Sequence, residues 1–203
     1  MYGMELPPIG ERITMLDGAA QVIKALWEHP DGVSLDAPPY RLTDAVCDPA
    51  PITPGGPPIW LGTQGLKRGL RIVAERADGW NQTGDPSTFI GKRDALLRHC
   101  EAVGRDPAEI EMTLGIKATI RDTEAEADRV WKAAMEFNRT PMSNVEDDDT
   151  FWNGTADQLA EKLAPYVELG FRTVISEQPA PYDVETFERL IGEVGPKVAA
   201  LTG

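Results

Sequence analysis

The sequence predicts an α/β chain built on a parallel sheet, and three observations carry that expectation. Strand-like segments near residues 58–62, 79–83, 110–118 and 171–176 alternate with segments of helical periodicity. The helices open on capping signals and stop at glycine or proline. Strand followed by helix, repeated, implies right-handed crossovers between parallel strands, with ligands at the strands' C-terminal ends.

The elements follow in order. A first helix runs from about Gly10 to Glu28, with Ile13, Leu16, Ala20, Ile23 and Trp27 on one face, and His29-Pro30-Asp31-Gly32 stops it. Residues 33–58 are proline-rich, with β-like pieces at Val33–Leu35 and Tyr40–Leu42 that suit a small hairpin. Ile59-Trp60-Leu61 reads as a short buried strand, followed by a helix facing inward through Leu66, Leu70, Val73 and Ala77. Asp78–Thr83 is the second strand. Asp85-Pro86 opens the next helix, buried through Phe89, Leu96, Cys100 and Val103 and ended by Gly104.

From Ile110 to Ile120 apolar residues alternate with Glu111, Thr113 and Lys117, the period of a strand with one buried face. Thr123 to Glu126 is a capping box for a helix buried through Ala127, Val130, Ala134 and Phe137. Residues 138–153 read as a polar loop; its acidic run Glu146–Asp149 lacks the glycine and spacing of a calcium loop and is expected to be solvated. Thr155 to Gln158 is a second capping box, with Leu159, Leu163, Tyr166 and Val167 inward. Phe171–Ser176 is the fourth main strand. A last helix from about Asp183 uses Phe187, Leu190, Val194, Val198 and Leu201, with a kink at Gly195-Pro196.

The bulk properties bound the function. At 203 residues, 41% of them hydrophobic, the chain supports one domain, taken as residues 1–203. A net charge of -13 disfavours nucleic acid and anionic membranes as partners. No apolar run reaches the roughly 18 residues of a membrane span. The start, Met1–Leu6, lacks the features of a signal peptide. Cys47 and Cys100 have no metal or CxxC spacing and are expected to be reduced thiols of a cytoplasmic protein. No nucleophile–base pair and no metal set is evident, which leaves catalytic residues unassigned and suits chemistry borne by a cofactor.

Two elements could hold that cofactor. Pro57–Arg68 places a glycine-flanked turn, Gly62-Thr63-Gln64-Gly65, between a strand and a helix. Glycines let an anion approach backbone N–H groups, and the helix N-terminus adds partial positive charge. Lys67 and Arg68 oppose that dipole, which makes sense beside a bound anion; a plain strand-to-helix turn is the alternative. Trp80-Asn81 lies near the C-terminal end of the second strand, with a core tryptophan and a structural asparagine as the alternative. His29 and His99 are read as structural or solvated. Phe151-Trp152 could cover a ligand, and Glu177 caps a loop or accepts a proton.

These pieces resemble one family. Pro58-Ile59-Trp60-Leu61-Gly62 with its glycine turn, then Leu70–Ala74 and Ala77-Asp78-Gly79-Trp80-Asn81, resemble the signature of luciferase-like monooxygenases. The similarity extends through His99–Glu111, and upstream through Pro7–Arg12, Ala20–Trp27, and Tyr40-Arg41-Leu42 leading to Cys47–Pro51. The resemblance implies a (β/α)8 TIM-barrel fold of bacterial-luciferase type, represented here by about its C-terminal half, four parallel βα units. It implies that Gly62, Thr63, Gln64 and Gly65 bind the cofactor phosphate, with Trp80 and Asn81 bordering the pocket. The family turn usually reads Gly-Gly-x-Gly; Thr63 replaces the second glycine, and its hydroxyl could itself bond a phosphate oxygen.

The branch most resembled is expected to use coenzyme F420, with FMN as the alternative. The expected activity is hydride transfer between F420 and a small organic substrate. With FMN it would be monooxygenation, and a non-catalytic, truncated cofactor-binding remnant is the third reading. An open half-barrel leaves edge strands and apolar faces in water, so a homo-oligomer is expected.

Overall fold

The computed structural model describes residues 3, 5–145, 148 and 150–202. Part of the leader reading at Met1–Leu6, and the acidic-run reading at Glu146, Asp147 and Asp149, lie outside these residues. The chain forms two compact units, residues 1–80 with 94–110, and residues 81–93 with 111–203.

The first unit opens with α1 (Ile9–Glu28), followed by an antiparallel hairpin of β1 (Val33–Ala37) and β2 (Tyr40–Ala45). The strand β3 (Trp60–Leu61) leads into α2 (Arg68–Arg76) and returns as β4 (Gly79–Gln82). β3 and β4 pair in parallel, Trp60 opposite Gly79 and Leu61 opposite Trp80. The helix α3 (Ser87–Val103) contributes its second half to this unit, and Gly104 ends it at φ +70°, a conformation that favours glycine. The core is Leu70, Val73, Ala74, Ala77, Trp80, Leu96 and Cys100, all essentially inaccessible. Burial pushes the Cys100 thiol pKa up, which makes it a packing residue rather than a nucleophile.

The second unit is organised on β5 (Glu111–Ile120). The helix α4 (Glu124–Phe137) follows, capped by Thr123, whose side chain accepts from the Glu126 N–H. β6 (Phe151–Gly154) leads into α5 (Ala156–Glu168), and β7 (Thr173–Ser176) into α6 (Val184–Arg189). One π-helical turn, Leu190–Val194, joins α6 to α7 (Gly195–Thr202). β5 pairs in parallel with β7 over Thr113–Ile116 and with β6 over Lys117–Ile120. Phe89, Trp152, Tyr166 and Phe171 form an aromatic core, with ring centroids 5.2 Å apart for Phe89–Phe171 and 5.6 Å for Trp152–Tyr166. The Tyr166 hydroxyl donates to the Gly84 carbonyl at 2.7 Å, so the buried phenol is satisfied.

Most expected elements are present, with instructive departures. β5 is buried on both faces from Thr113 to Ile116 and again from Ala118 to Ile120, where alternation predicted one buried face. A parallel strand covered on both sides admits Thr113 and Thr119 only because short hydroxyls fit there. β6 begins inside the segment expected to be a loop; Phe151-Trp152 forms a strand, with Trp152 3% exposed. A four-residue strand ending in Asn-Gly gives no periodic signal. Leu66 is 51% exposed because α2 begins two residues beyond it. Val103 and Phe137 are exposed because each is the last residue of its helix, past the packed face; Met135 is buried in α4 instead. Leu201 is exposed because the π turn, which ends at Gly195, adds a residue and rotates the stripe counted from a 3.6 period.

Gly18 of α1 carries the tightest contact with the hairpin. A Cβ there would sit 2.7 Å from the Pro38 carbonyl oxygen and 2.8 Å from that of Ala37, both backbone atoms. Gly18→Ala gains about 1 kcal/mol of helix propensity and incurs an overpacking cost of about 1–3 kcal/mol. Chemical denaturation should show net destabilisation; an unchanged or raised midpoint would show that the hairpin moves freely away from α1.

Candidate functional site

The chain between β3 and α2 is largely exposed. Leu61 is buried, whereas Gly62, Gln64 and Gly65 are exposed. Two contacts fix the turn from behind. The buried Trp80 indole N–H donates to the Thr63 carbonyl at 3.0 Å. The Thr63 side chain lies on Gly69, where an added Cβ would come within 2.2 Å of Oγ1, and Oγ1 accepts a long bond, 3.5 Å, from the Gly65 N–H. The hydroxyl expected to bond a phosphate oxygen is thus turned back onto the first turn of α2.

Among the described residues, the backbone N–H groups of Gln64, Leu66 and Lys67 donate to no protein acceptor. α2 has no side-chain N-cap and no acidic residue in its first turn. Residues 49–74 contain no Asp or Glu, in a chain with 33 of them. Unengaged N–H groups, an uncapped helix start and the absence of carboxylates are the conditions under which an anion is favoured at a helix N-terminus. The residues present therefore fit a cofactor phosphate.

Gly62, Thr63, Gln64, Gly65 and Trp80 come together in the first unit. Asn81 belongs to the second, where its Oδ1 accepts from the hydroxyl of the fully buried Thr113 at 2.9 Å. That bond orients the amide and leaves Nδ2 as its donor.

The second unit carries charge at the C-terminal ends of its strands. Lys117 stands in the middle of an apolar strand, with Nζ 3.3 Å from Asp148, 3.2 Å from the Thr150 hydroxyl and 4.6 Å from the Phe151 ring centroid. Burial disfavours the charge on Asp148, but hydrogen bonds from Thr150 and the charge of Lys117 outweigh it and hold its pKa below the usual carboxylate range. A cavity of about 260 Å³ opens here, lined by Thr83, Gly115, Lys117, Asp148, Thr150 and Glu177. The sequence reading passed over this group; a lysine between Ile116 and Ala118 was the signal for it. Glu177 is exposed at the cavity edge, and its N–H donates to the Ile116 carbonyl.

Beyond it, Arg121, 9% exposed, ion-pairs with Asp183 at 3.0 Å and Glu185 at 3.3 Å. The buried Thr186 hydroxyl accepts from the Ile120 N–H and donates to Asp183. The end of β5 is thereby stapled to the start of α6. His99 reaches the Leu66 carbonyl through Nε2 at 2.9 Å, in keeping with a structural role. Among the described residues no group of His, Cys, Asp or Glu could hold a metal ion, and no helix is long and apolar enough to cross a membrane.

Parallel strands that alternate with helices define an α/β protein of the parallel, barrel-forming class. The chain belongs to the luciferase-like monooxygenase family, whose model matches residues 1–173. Two relatives are F420-dependent glucose-6-phosphate dehydrogenases. The one from Microbacterium testaceum is 27% identical over 94% of this chain and 62% of its own length. The one from Nakamurella multipartita is 27% identical over 99% of this chain and 65% of its own. The chain therefore spans somewhat less than two thirds of these relatives.

Among solved structures, an F420-dependent secondary alcohol dehydrogenase in complex with an F420-acetone adduct superposes with a TM-score of 0.75. It is 21% identical and covers 97% of this chain and 65% of its own. The F420-dependent tetrahydromethanopterin reductase of Methanopyrus kandleri gives 0.68 at 17% identity, over 88% of this chain and 62% of its own. These likenesses establish the fold, the luciferase-like α/β type that the sequence predicted.

Asp183 supplies a testable pH dependence. Burial works against its charge, but Arg121 and Thr186 outweigh that and lower its pKa below the ordinary value. A depressed carboxylate contributes stability that is fully present above its unfolded pKa of about 3.9 and lost as pH falls through the lower native value. Asp183→Asn should destabilise the chain by about 1–3 kcal/mol at neutral pH and flatten the loss of stability in acid. Urea titrations between neutral pH and about pH 3 measure both effects; equal acid slopes for the two proteins would exclude the ion pair as the cause.

Proposed function

We propose that this chain is the cofactor-binding part of a luciferase-like oxidoreductase that transfers a hydride between coenzyme F420 and a small organic substrate. One observation carries the reading: the N–H groups of Gln64, Leu66 and Lys67, at and just beyond the glycine turn, donate to no protein acceptor among the described residues and lie in an acid-free stretch, in a family whose relatives here are named as F420-dependent. When bound, F420 supplies the hydride chemistry, and the protein supplies position and field. Gly62, Thr63, Gln64 and Gly65 form the turn that holds the phosphate, with the Gln64 N–H as a donor and the positive end of α2 behind it. Trp80 fixes the turn through the Thr63 carbonyl, and Thr63 braces it against Gly69. Asn81, oriented by Thr113, offers its Nδ2 to the cofactor.

FMN is the alternative occupant, because a phosphate turn alone serves either coenzyme. The FMN complex of the oxygenating constituent of 3,6-diketocamphane monooxygenase from Pseudomonas putida has the same fold, with a TM-score of 0.62.

The discriminating experiment titrates F420 and FMN into the chain and its Gly65 variants. A Cβ at Gly65 meets nothing closer than 3.7 Å, so Gly65→Ala tests space and Gly65→Asp tests charge. Gly65→Asp should weaken binding by about tenfold or more, with the loss shrinking at high salt, and Gly65→Ala should change little. Replacing Lys67 should matter less than Gly65→Asp, because its exposed side chain can swing away. Unchanged affinity in Gly65→Asp would place the phosphate elsewhere, and binding of neither coenzyme would favour the non-catalytic reading.

A further inference from the structure

A recess in the second unit lies between α4 and the segment that follows β7. It has a volume of about 420 Å³, and Trp131, Phe137, Phe151, Pro179, Pro181 and Tyr182 are among its lining residues. Phe137 is 67% exposed and Tyr182 73%. Large apolar rings left open to water around a concavity are a feature of ligand-binding grooves. The Trp131 and Phe151 rings stand 5.5 Å apart between centroids and form part of one wall.

The cations of this recess are already neutralised. They are Lys117, Arg121 and Arg129. Lys117 is paired with Asp148, Arg121 with Asp183 and Glu185, and Arg129 with Glu126. Glu177 also lines the recess and forms no ion pair among the described residues. The charge left over is therefore negative. An anionic ligand would meet it with no free cation in compensation.

The recess shares Lys117 and Glu177 with the cavity of about 260 Å³ at the strand ends, which adds Thr83 and Thr150. Lys117 Nζ directs two of its three N–H groups to Asp148 and Thr150 and keeps the third for another acceptor. The Trp131 indole N–H is shielded from water and donates to no acceptor among the described residues. Buried donors are seldom left unmet, so the aromatic wall is short of an acceptor that the protein does not supply. One polar end, a broad aromatic side and no surplus positive charge set the chemistry of the ligand.

We propose that this recess takes the substrate's apolar body, and that the substrate is an uncharged alcohol or ketone on an aromatic or similarly bulky frame. The substrate oxygen accepts from Lys117, and the frame lies among Trp131, Phe137, Phe151 and Tyr182. A sugar phosphate, the substrate in the names of two relatives, is disfavoured by the unpaired Glu177 and the lack of a free cation. The inference rests on the oxidoreductase reading above. The volume is of the size that takes a small molecule.

Ligand-observed NMR and tryptophan fluorescence on the whole chain test this without any assay of turnover. Acetophenone, 1-phenylethanol, benzoate and glucose 6-phosphate are the probes; benzoate keeps the ring and adds the charge. The ketone and the alcohol should bind about tenfold tighter than benzoate at low ionic strength, and glucose 6-phosphate should not bind. Glu177→Gln, or high salt, should narrow the ketone-to-benzoate ratio. Phe137→Ala should weaken acetophenone binding about tenfold, and Tyr182→Ala should weaken it as well. Ile191→Ala, exposed elsewhere in the same unit, is the control and should leave it unchanged. Trp131→Phe should remove most of the fluorescence change; circular dichroism confirms that each variant is folded.

Failure of both uncharged probes to bind, a benzoate or glucose 6-phosphate affinity equal to theirs, or unchanged acetophenone binding in both Phe137→Ala and Tyr182→Ala would overturn the proposal. The two readings fail separately. F420 bound together with glucose 6-phosphate but not the ketone removes the substrate class and keeps the function; the ketone bound by a chain that takes neither coenzyme removes the function and keeps an apolar ligand site.

Discussion

A strand covered on both faces can hold charge only where the covering stops. β5 meets this constraint over most of its length, and much of the second unit follows from it. Between Thr113 and Ile116 it admits nothing larger and more polar than threonine, and the charged side chain that follows, Lys117, interrupts the buried run where β7 ends its pairing and β6 begins. The next, Arg121, lies just beyond the strand. Each is met by a carboxylate from a later segment, Asp148 or Asp183, and each carboxylate is held ionised against the cost of its burial. The polar groups that could meet a ligand in this unit are gathered at one end because the strand excludes them elsewhere.

The first unit solves a different problem with less material. β3 is two residues long and cannot position a turn by its own ladder. Position comes instead from side chains: Asp78 accepts from the Ile59 N–H at one end, and Trp80 donates to the Thr63 carbonyl at the other. Thr63 fits because Gly69 leaves room for it. The departure from the usual family glycine is thus accommodated within the turn, and the hydroxyl becomes a brace.

Order and type of the main elements were legible because each carries local chemistry: the Thr155–Gln158 capping box forms in full, Asp183 caps α6, and Gly104 takes its left-handed turn. The strand–glycine–helix segment around Gly62–Gly65 was legible for the same reason, being contiguous in sequence. What escaped depends on contacts distant in sequence. Trp152 is a strand residue because Tyr166 and Lys162 cover it. Lys117 is a site residue because Asp148 lies beside it. The direction of the Thr63 hydroxyl depends on the size of residue 69. Periodicity also fails where the helix itself changes period, as at Leu190–Val194.

Trp80 occupies two roles at once: its ring is wholly inside the first unit's core, and its N–H fixes the turn. Thermodynamic linkage follows. A ligand that engages the turn only in its native geometry adds its free energy to the folding equilibrium of that core. The reverse holds as well: a substitution that loosens Leu70 or Val73, neither of them in the turn, would register as weaker anion affinity. On the proposed reading, the affinity of the turn is partly a property of residues that no ligand touches.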